Sequence, residues 1–336
     1  MTVVGNGVPA WLAGAQIEVR PALEEALRGL NPRVRRVCEY QLGWTDGQSG
    51  GGKSLRPLLT LASAEAAGGD PAVAMPAAVA VELLHNCTLL QDDVMDEDRT
   101  RRHRPAAWTV FGASPAILAG DALLALAFTA LADSGHPVAG VAAGELMRTV
   151  DELVDGQAMD LEFERVGAVG VDDCLRMTAA KTGSLLACAC RLGGLFGGGG
   201  EAACAALERY GRHLGLAYQL RDDLLGIWGD PRRTGKAALA DLRRRKKSLP
   251  VVAALAGDGP AADQLRDLYA RPEPFDDEAA RRAARLVEEA GGREFAEGLA
   301  RAELAGVDAA LAELAALGAA GDRLAALGRF AIARDS

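Results

Sequence analysis

An all-α fold is what three features of this sequence predict. Ala, Leu, Arg and Glu fill most segments of its 336 residues. β-branched residues nowhere alternate in the period-2 pattern of strands. Gly and Pro fall at Gly43–Gly52, Gly68–Pro71, Gly135–Pro137, Gly193–Gly200, Gly229–Pro231 and Gly257–Pro260, leaving helical stretches of about 15–30 residues between them. No stretch has the composition of a linker, so residues 1–336 read as a single domain in which 1–20 form a peripheral, poorly ordered N-terminal segment. The region after Pro260 is Ala/Leu/Arg/Glu helix without distinctive chemistry.

Composition narrows the function classes. Lys and Arg number 37 against 46 Asp and Glu, a net charge of -9. Such a balance argues against a nucleic-acid partner, which demands a broad basic face. The first basic residue is Arg20, so the start lacks the charged head of a secretory signal. The longest apolar run, Ala116 to Ala132, is interrupted by Asp121, and a charge at a bilayer centre costs about 2.5–3.5 kcal/mol. It reads as a buried helix rather than a transmembrane segment. Six cysteines without CxxC spacing point to reduced thiols in a cytoplasm, and four histidines give a zinc site little to work with.

One strong motif match lacks its context. Gly47-Gln48-Ser49-Gly50-Gly51-Gly52-Lys53-Ser54 fits GxxxxGK[ST], and its first five residues fit GxSxG. Both motifs require a β-strand upstream, whereas Val34–Leu42 carries charges at helical spacing. A nucleotide-binding P-loop is therefore the lesser reading. What remains is Lys53 and Arg56 beside a glycine loop, within reach of a phosphate.

Two aspartate clusters carry more chemistry. Gln91-Asp92-Asp93-Val94-Met95-Asp96 ends an apolar helical run that begins near Ala77, and Arg221-Asp222-Asp223-Leu224-Leu225-Gly226 follows another from Leu214 to Leu220. Asp92 and Asp96, four apart, share a helix face, with Asp93 on its shoulder. Clustered like charges cost stability unless a cation holds them. A single pair would read as a solvated helix end; two pairs on apolar helices suggest carboxylates on opposite walls of one cavity. Oxygen-only ligand sets without His or Cys select hard cations, and Mg²⁺ is completed by waters and substrate phosphates. A diphosphate substrate follows. Arg99, Arg101, Arg102 and Arg104 follow the first cluster, Lys236 and Lys246 the second, and Lys181 opens Lys181-Thr182-Gly183. These cations, and the run Arg243–Lys247, suit anion capture at a site mouth.

Together, Gly51-Gly52-Lys53-Ser54-Leu55-Arg56-Pro57, Asp92-Asp93-Val94-Met95-Asp96 with Arg101-Arg102, Lys181-Thr182, Tyr218-Gln219-Leu220-Arg221-Asp222-Asp223 and Lys236 resemble the trans-polyprenyl diphosphate synthases in order and spacing. The resemblance implies an isoprenoid synthase-type helical bundle around a deep central cavity, usually a homodimer. It implies head-to-tail condensation of isopentenyl diphosphate with an allylic diphosphate (dimethylallyl, geranyl or farnesyl), releasing pyrophosphate. By position, Asp92, Asp93, Asp96, Asp222 and Asp223 would hold Mg²⁺. Arg101, Lys181 and Lys236 would pair with the allylic diphosphate; Lys53, Arg56, His85 and Arg102 would bind isopentenyl diphosphate. Thr182 and Gln219 would line the forming allylic cation, and Lys246 matches the family's lysine beyond the second cluster.

The sequence departs from that pattern at three places. Ser54 stands where arginine is common, Gln91 where histidine often precedes the first cluster, and Gly226 where the second cluster has its third aspartate; whether Asp230 compensates is open. In the family this sequence resembles, the side chains five and four residues before the first aspartate help set product length; here they are Cys87 and Thr88. At about 1.5 Å per residue they lie one turn below the metals, where a Phe or Tyr would block the growing chain. Their small size, with Leu84 and Leu83 one turn further, favours a twenty-carbon product, with longer chains second. A class I terpene cyclase would need more than 4% aromatics to steer its carbocations. A non-catalytic subunit is the remaining alternative.

Overall fold

Helix follows helix along the chain. The structure, a computed structural model, describes residues 3–4, 8–45, 54–102, 104–229, 239–271, 273–318 and 321–332. Two short antiparallel pairs are the strands among them: β1 (Val3–Val4) with β2 (Val8–Pro9), and β3 (Thr100–Arg101) with β4 (Arg104–Pro105). The helices run α1 (Ala10–Leu27), α2 (Pro32–Gln41), α3 (Leu55–Ala66), a 3₁₀ turn (Pro71–Ala74), α4 (Met75–Met95), α5 (Ala107–Phe111), α6 (Ala113–Ala132), α7 (Ala139–Arg165) and α8 (Val171–Thr178). A π-helical turn (Ala179–Gly183) leads into α9 (Ser184–Phe196), then α10 (Glu201–Trp228), α11 (Ala240–Arg243), α12 (Leu249–Ala256), α13 (Pro260–Ala270), α14 (Asp277–Glu289), α15 (Gly292–Ala316) and α16 (Asp322–Ile332). Thus α1 begins inside the stretch that composition assigns to a peripheral N-terminal segment.

Local sequence explains several helix starts. Asn31 caps α2 by accepting a hydrogen bond from the Arg33 N–H at 3.0 Å, with Pro32 at the first helical position. Asp276 caps α14 from the Ala279 N–H at 2.8 Å. The break expected at Gly193–Gly200 falls later, because Gly193 and Gly194 lie inside α9. They serve contact rather than turning: a Cβ on Gly193 would lie 2.7 Å from the Ser63 Cβ, and one on Gly197 2.8 Å from the Ala64 Cα. The α3 backbone can approach α9 closely only where these side chains are missing.

The chain forms two compact units. The first comprises Met1–Arg148, Cys188–Glu208 and Leu311–Phe330. Within it α4 lies along α6, which turns Ala116, Ala119, Leu123, Ala127 and Leu131 inward. Their spacing is the 3–4 residue period of one helix face, and small residues let the two helices approach. The second comprises Thr149–Ala187, Arg209–Ala310 and Ala331–Ser336. Its core gathers Ile227, Leu242, Val251, Leu265, Phe275 and Val287 around α12–α14, and Phe163, Met177, Leu220 and Val252 beside α8 and α10.

Candidate active site

In the first unit the site is built on the end of α4 and the chain reversal after it. Asp96 closes the helix, Glu97 takes a left-handed φ of 53°, and the Asp98 N–H returns to the Asp93 carbonyl at 3.0 Å. This is the six-to-one bond of a Schellman motif, with glutamate where glycine is usual. The β3–β4 hairpin then turns through Arg102, whose φ of 51° is again left-handed. That reversal brings Arg101 back onto α4: its Nε donates to the Asp93 Oδ1 at 2.7 Å, and its Nη2 donates to the same oxygen.

Asp93, on the shoulder of the face that Asp92 and Asp96 share, is only 1% exposed, while Asp92 is half-buried and Asp96 exposed. Burial pushes the Asp93 carboxyl above its usual value, opposed by the Arg101 hydrogen bond and charge. Its Oδ2 is buried without a hydrogen-bond partner among the described residues. A buried carboxylate oxygen in this state lacks the hydrogen bonds that satisfy most buried polar groups, a deficit that a cation could make good.

Further back along α4, His85 and Glu82 meet cations from other elements. The Arg56 Nη1 on α3 donates to the His85 Nε2 at 3.1 Å. Burial, then Arg56, Arg102 and Arg101, hold the imidazole well below its ordinary value. His85 is thus neutral with that lone pair engaged, which suits a phosphate-side contact and not a base. Glu82, 5% exposed, accepts from the Asn86 Nδ2 at 3.2 Å; burial raises its carboxyl against the attraction of Arg102 and Arg56. An acid raised above its unfolded value contributes stability that is complete below that unfolded value and lost as pH rises through the native one. Glu82→Gln, which cannot ionise, is therefore expected to melt higher than the wild type at pH 7.5 and to lose that advantage by pH 4. A gap in melting temperature that stays constant between these pH values would refute the assignment.

The second unit holds the other group of sequence-predicted residues. Lys181 and Thr182 sit in the π-helical turn; the Lys181 Nζ meets the Asp160 Oδ2 on α7 at 2.6 Å. The Thr182 Oγ1 donates to the Gln219 Oε1 at 3.0 Å, and the Gln219 Nε2 donates to the Asp223 Oδ1 at 2.9 Å, both partners on α10. The Leu249 N–H at the start of α12 approaches the Asp223 Oδ2 at 3.3 Å. Burial pushes Asp223 up to about 6, against the attraction of Lys246 and the Gln219 hydrogen bond. Burial also opposes the charge on Lys246, yet Asp223, Asp160, Asp241 and Asp222 together hold its ammonium above the usual lysine range.

The Gly226 departure has a spatial counterpart. A Cβ built on this buried glycine would lie 2.8 Å from the Asp241 Cγ and closer still to its Oδ2. Asp241 therefore occupies the space into which a side chain at 226 would project.

Within each unit the sequence-predicted residues come together: Arg56 with His85 and Asp93 with Arg101 in one, Thr182, Gln219, Asp223 and Lys246 in the other. Cys87 and Leu84 are buried on α4, and the Thr88 Oγ1 is turned back onto the His85 carbonyl at 2.8 Å. Lys53, with its glycine loop, Lys236 and Asp230 lie outside the described residues. Asp160 and Asp241 were missed, being isolated acids in helical segments with no motif around them. Among the described residues no three acidic, His or Cys side chains converge to cage a metal alone. Carboxylates in ones and twos, with the orphaned Asp93 oxygen, instead fit Mg²⁺, which is completed by phosphates and water.

The chain is similar to proteins of known family. A family described as polyprenyl synthetase matches residues 44–287. A (2E,6E)-farnesyl diphosphate synthase of Mycobacterium tuberculosis is 44% identical over 300 residues, covering 86% of this chain and 83% of that protein. A geranylgeranyl diphosphate synthase of the same organism is 44% identical over 310 residues, covering 90% and 88%. The crystal structure of a polyprenyl synthetase from Streptomyces coelicolor A3(2) superposes with a TM-score of 0.90 at 44% identity, covering 96% of this chain and 99% of that one.

Proposed function

The chain belongs to the polyprenyl synthetase family and is a prenyl diphosphate synthase, a prenyltransferase; from that premise we propose that it condenses isopentenyl diphosphate head-to-tail with an allylic diphosphate (dimethylallyl, geranyl or farnesyl) to give geranylgeranyl diphosphate and pyrophosphate. The observation that carries the reading is the buried Asp93 Oδ2, an acceptor without a hydrogen-bond partner among the described residues, beside a carboxylate-rich helix end. Asp92, Asp93 and Asp96 on α4, and Asp222 and Asp223 on α10, are the residues that would hold Mg²⁺. When bound, that ion supplies Lewis-acid neutralisation of the charge growing on the leaving pyrophosphate.

Arg101, Lys181 and Lys236 would add positive charge to the allylic diphosphate, where a water-poor site makes it count most, with Lys246 as the family's lysine beyond the second cluster. The Thr182 hydroxyl and Gln219 amide, held by Asp223, turn oxygen dipoles toward the electron-poor allylic carbon. Lys53, Arg56, His85 and Arg102 would bind the diphosphate of isopentenyl diphosphate, with burial first and Arg56 next keeping His85 neutral. The reading is tested by incubating the protein with Mg²⁺, isopentenyl diphosphate and each allylic primer and chromatographing the products. Absence of pyrophosphate release with every primer refutes it.

Equal identity to farnesyl and geranylgeranyl relatives leaves the chain length to the residues below the aspartates. Cys87 and Thr88 are small, and Leu83 and Leu84 form the next buried turn of α4. Cys87→Phe is expected to shift the main product from twenty carbons to fifteen; an unchanged distribution removes this residue from length control.

Assembly and location rest on apolar surfaces and thiols. Pro71–Met95 and Ala113–Ala132 are long and apolar enough to cross a membrane by length and composition, but Glu82, Asp92 and Asp93 interrupt the first and Asp121 the second. The outward face of α6 exposes Ile117 and Leu118, and Val110 and Met147 are exposed elsewhere in the same unit. A second copy of the chain covers this face in the proposed homodimer. Leu118→Glu is expected to halve the mass seen by analytical ultracentrifugation; an unaltered mass argues against it. All six cysteines are free and buried, and burial pushes Cys38, Cys87, Cys174 and Cys190 up to about 12. Such inert thiols suit the proposed cytoplasmic location.

A further inference from the structure

Lys181 and Thr182 are adjacent in the chain yet reach different helices. The π-helical turn Ala179–Gly183 that carries them joins α8 to α9 with an extra residue in one turn, a device that re-aims side chains at functional sites. Lys181 reaches Asp160 on α7 and Thr182 reaches Gln219 on α10. One helical turn before each of these partners, on the same helix, stands a glycine: Gly156 is four residues before Asp160, and Gly215 four before Gln219. A Cβ on Gly156 would lie 2.6 Å from the Lys181 N and 3.0 Å from its Cα; one on Gly215 would lie 2.7 Å from the Gly183 Cα. Both obstacles are backbone, which cannot rotate aside as a side chain can. Each helix thus offers the turn a bare seat and, one turn on, the group that its side chain binds.

We propose that Gly156 and Gly215 are positioning residues for the reaction, seating the π-turn against α7 and α10 so that Lys181 and Thr182 point where the allylic diphosphate is held. The inference rests on the reading of Lys181 and Thr182 given above. Close glycine contacts also occur where no site residue is involved: a Cβ on Gly211 of α10 would lie 2.8 Å from the Ala187 Cα. Gly211 is the internal control. A Cβ there strains the same helix but leaves the turn in place.

The test compares Gly156→Ala, Gly215→Ala and Gly211→Ala in the full chain, reading steady-state kinetics with each substrate varied and Mg²⁺-dependent binding of inorganic pyrophosphate by calorimetry. Displacing the turn by even an ångström is expected to cost Gly156→Ala and Gly215→Ala about 10²-fold in kcat/KM for the allylic substrate. The KM for isopentenyl diphosphate is expected to stay near the wild-type value. Pyrophosphate affinity is expected to fall about tenfold, the scale of one lost charged hydrogen bond. Gly211→Ala is expected to lower the melting temperature while leaving kinetics and pyrophosphate affinity near wild type. If Gly156→Ala binds pyrophosphate and turns over like the wild type, or if Gly211→Ala loses as much, the proposal fails. Should Gly156→Ala not fold, adding Ala180→Gly loosens the turn; folding then returns while pyrophosphate affinity stays low, and full recovery of affinity overturns the seats. Wild-type protein that binds pyrophosphate but turns over no substrate pair overturns the synthase reading alone, because the binding comparison still tests the glycines.

Discussion

Gly226→Asp, which restores the third aspartate of the family pattern, is expected to lower turnover about a hundredfold rather than to raise it. The space a side chain would need is filled by Asp241. Relief requires either Asp241 to move away or α10 to shift, and α10 carries Gln219, Asp222 and Asp223. Asp241 can turn its carboxylate aside, but doing so takes that charge from beside Lys246, and a further carboxylate beside Asp222, Asp223 and Asp241 adds repulsion. Emptying the contested space should reverse the loss: Gly226→Asp with Asp241→Gly is expected to recover most of the turnover. Steady-state rates of the two variants decide the matter, and a single variant as fast as the wild type would show that Asp241 does not hold that position.

Asp93→Asn should be still more damaging, with turnover down about 10²–10³-fold, the scale of removing one preorganised group from a developing charge. The amide keeps an oxygen for Arg101, so the hairpin after α4 stays docked. What disappears is the negative charge at a buried oxygen that has no hydrogen-bond partner among the described residues. Mg²⁺ with pyrophosphate should raise the melting temperature of the wild type and leave that of Asp93→Asn unmoved. Asp96→Asn, at an exposed helix end, should retain most of the shift. A variant at 93 that still responds to the ion, or one at 96 that does not, would reverse the ranking of the two carboxylates.

That ranking was not legible in the sequence, although the helix was. Apolar periodicity from Ala77 and the acidic stop at Asp96 locate α4, because both signals are local. Spacing alone places Asp92 and Asp96 on one face and makes Asp93 secondary. The order inverts because Arg101 comes back onto Asp93, through a chain reversal whose left-handed positions are Glu97 and Arg102, residues that give no sign of a turn. Asp160 and Asp241 escaped for a related reason. Among 46 acidic residues nothing local separates a solvated aspartate from one brought to a lysine by packing. The clusters at Asp92 and Asp222, the Lys181-Thr182 pair and Gln219 were legible because their spacing itself carries the chemistry. The π-turn was not, since Ala-Ala-Lys-Thr carries no local signal of a wider turn.

The crowding of Asp160, Asp222, Asp223 and Asp241 around Lys246 has a consequence for the order in which ligands arrive. The ammonium is a tethered counter-ion that balances the carboxylates while the site waits. A bare divalent ion must compete with this resident charge and gains little. The same ion travelling with a diphosphate presents both signs at once, exchanging partners with the carboxylates and the lysine together. Mg²⁺ titrated alone should therefore bind weakly and tighten sharply when pyrophosphate is added, and Lys246→Met should narrow that difference by strengthening the first step and weakening the second.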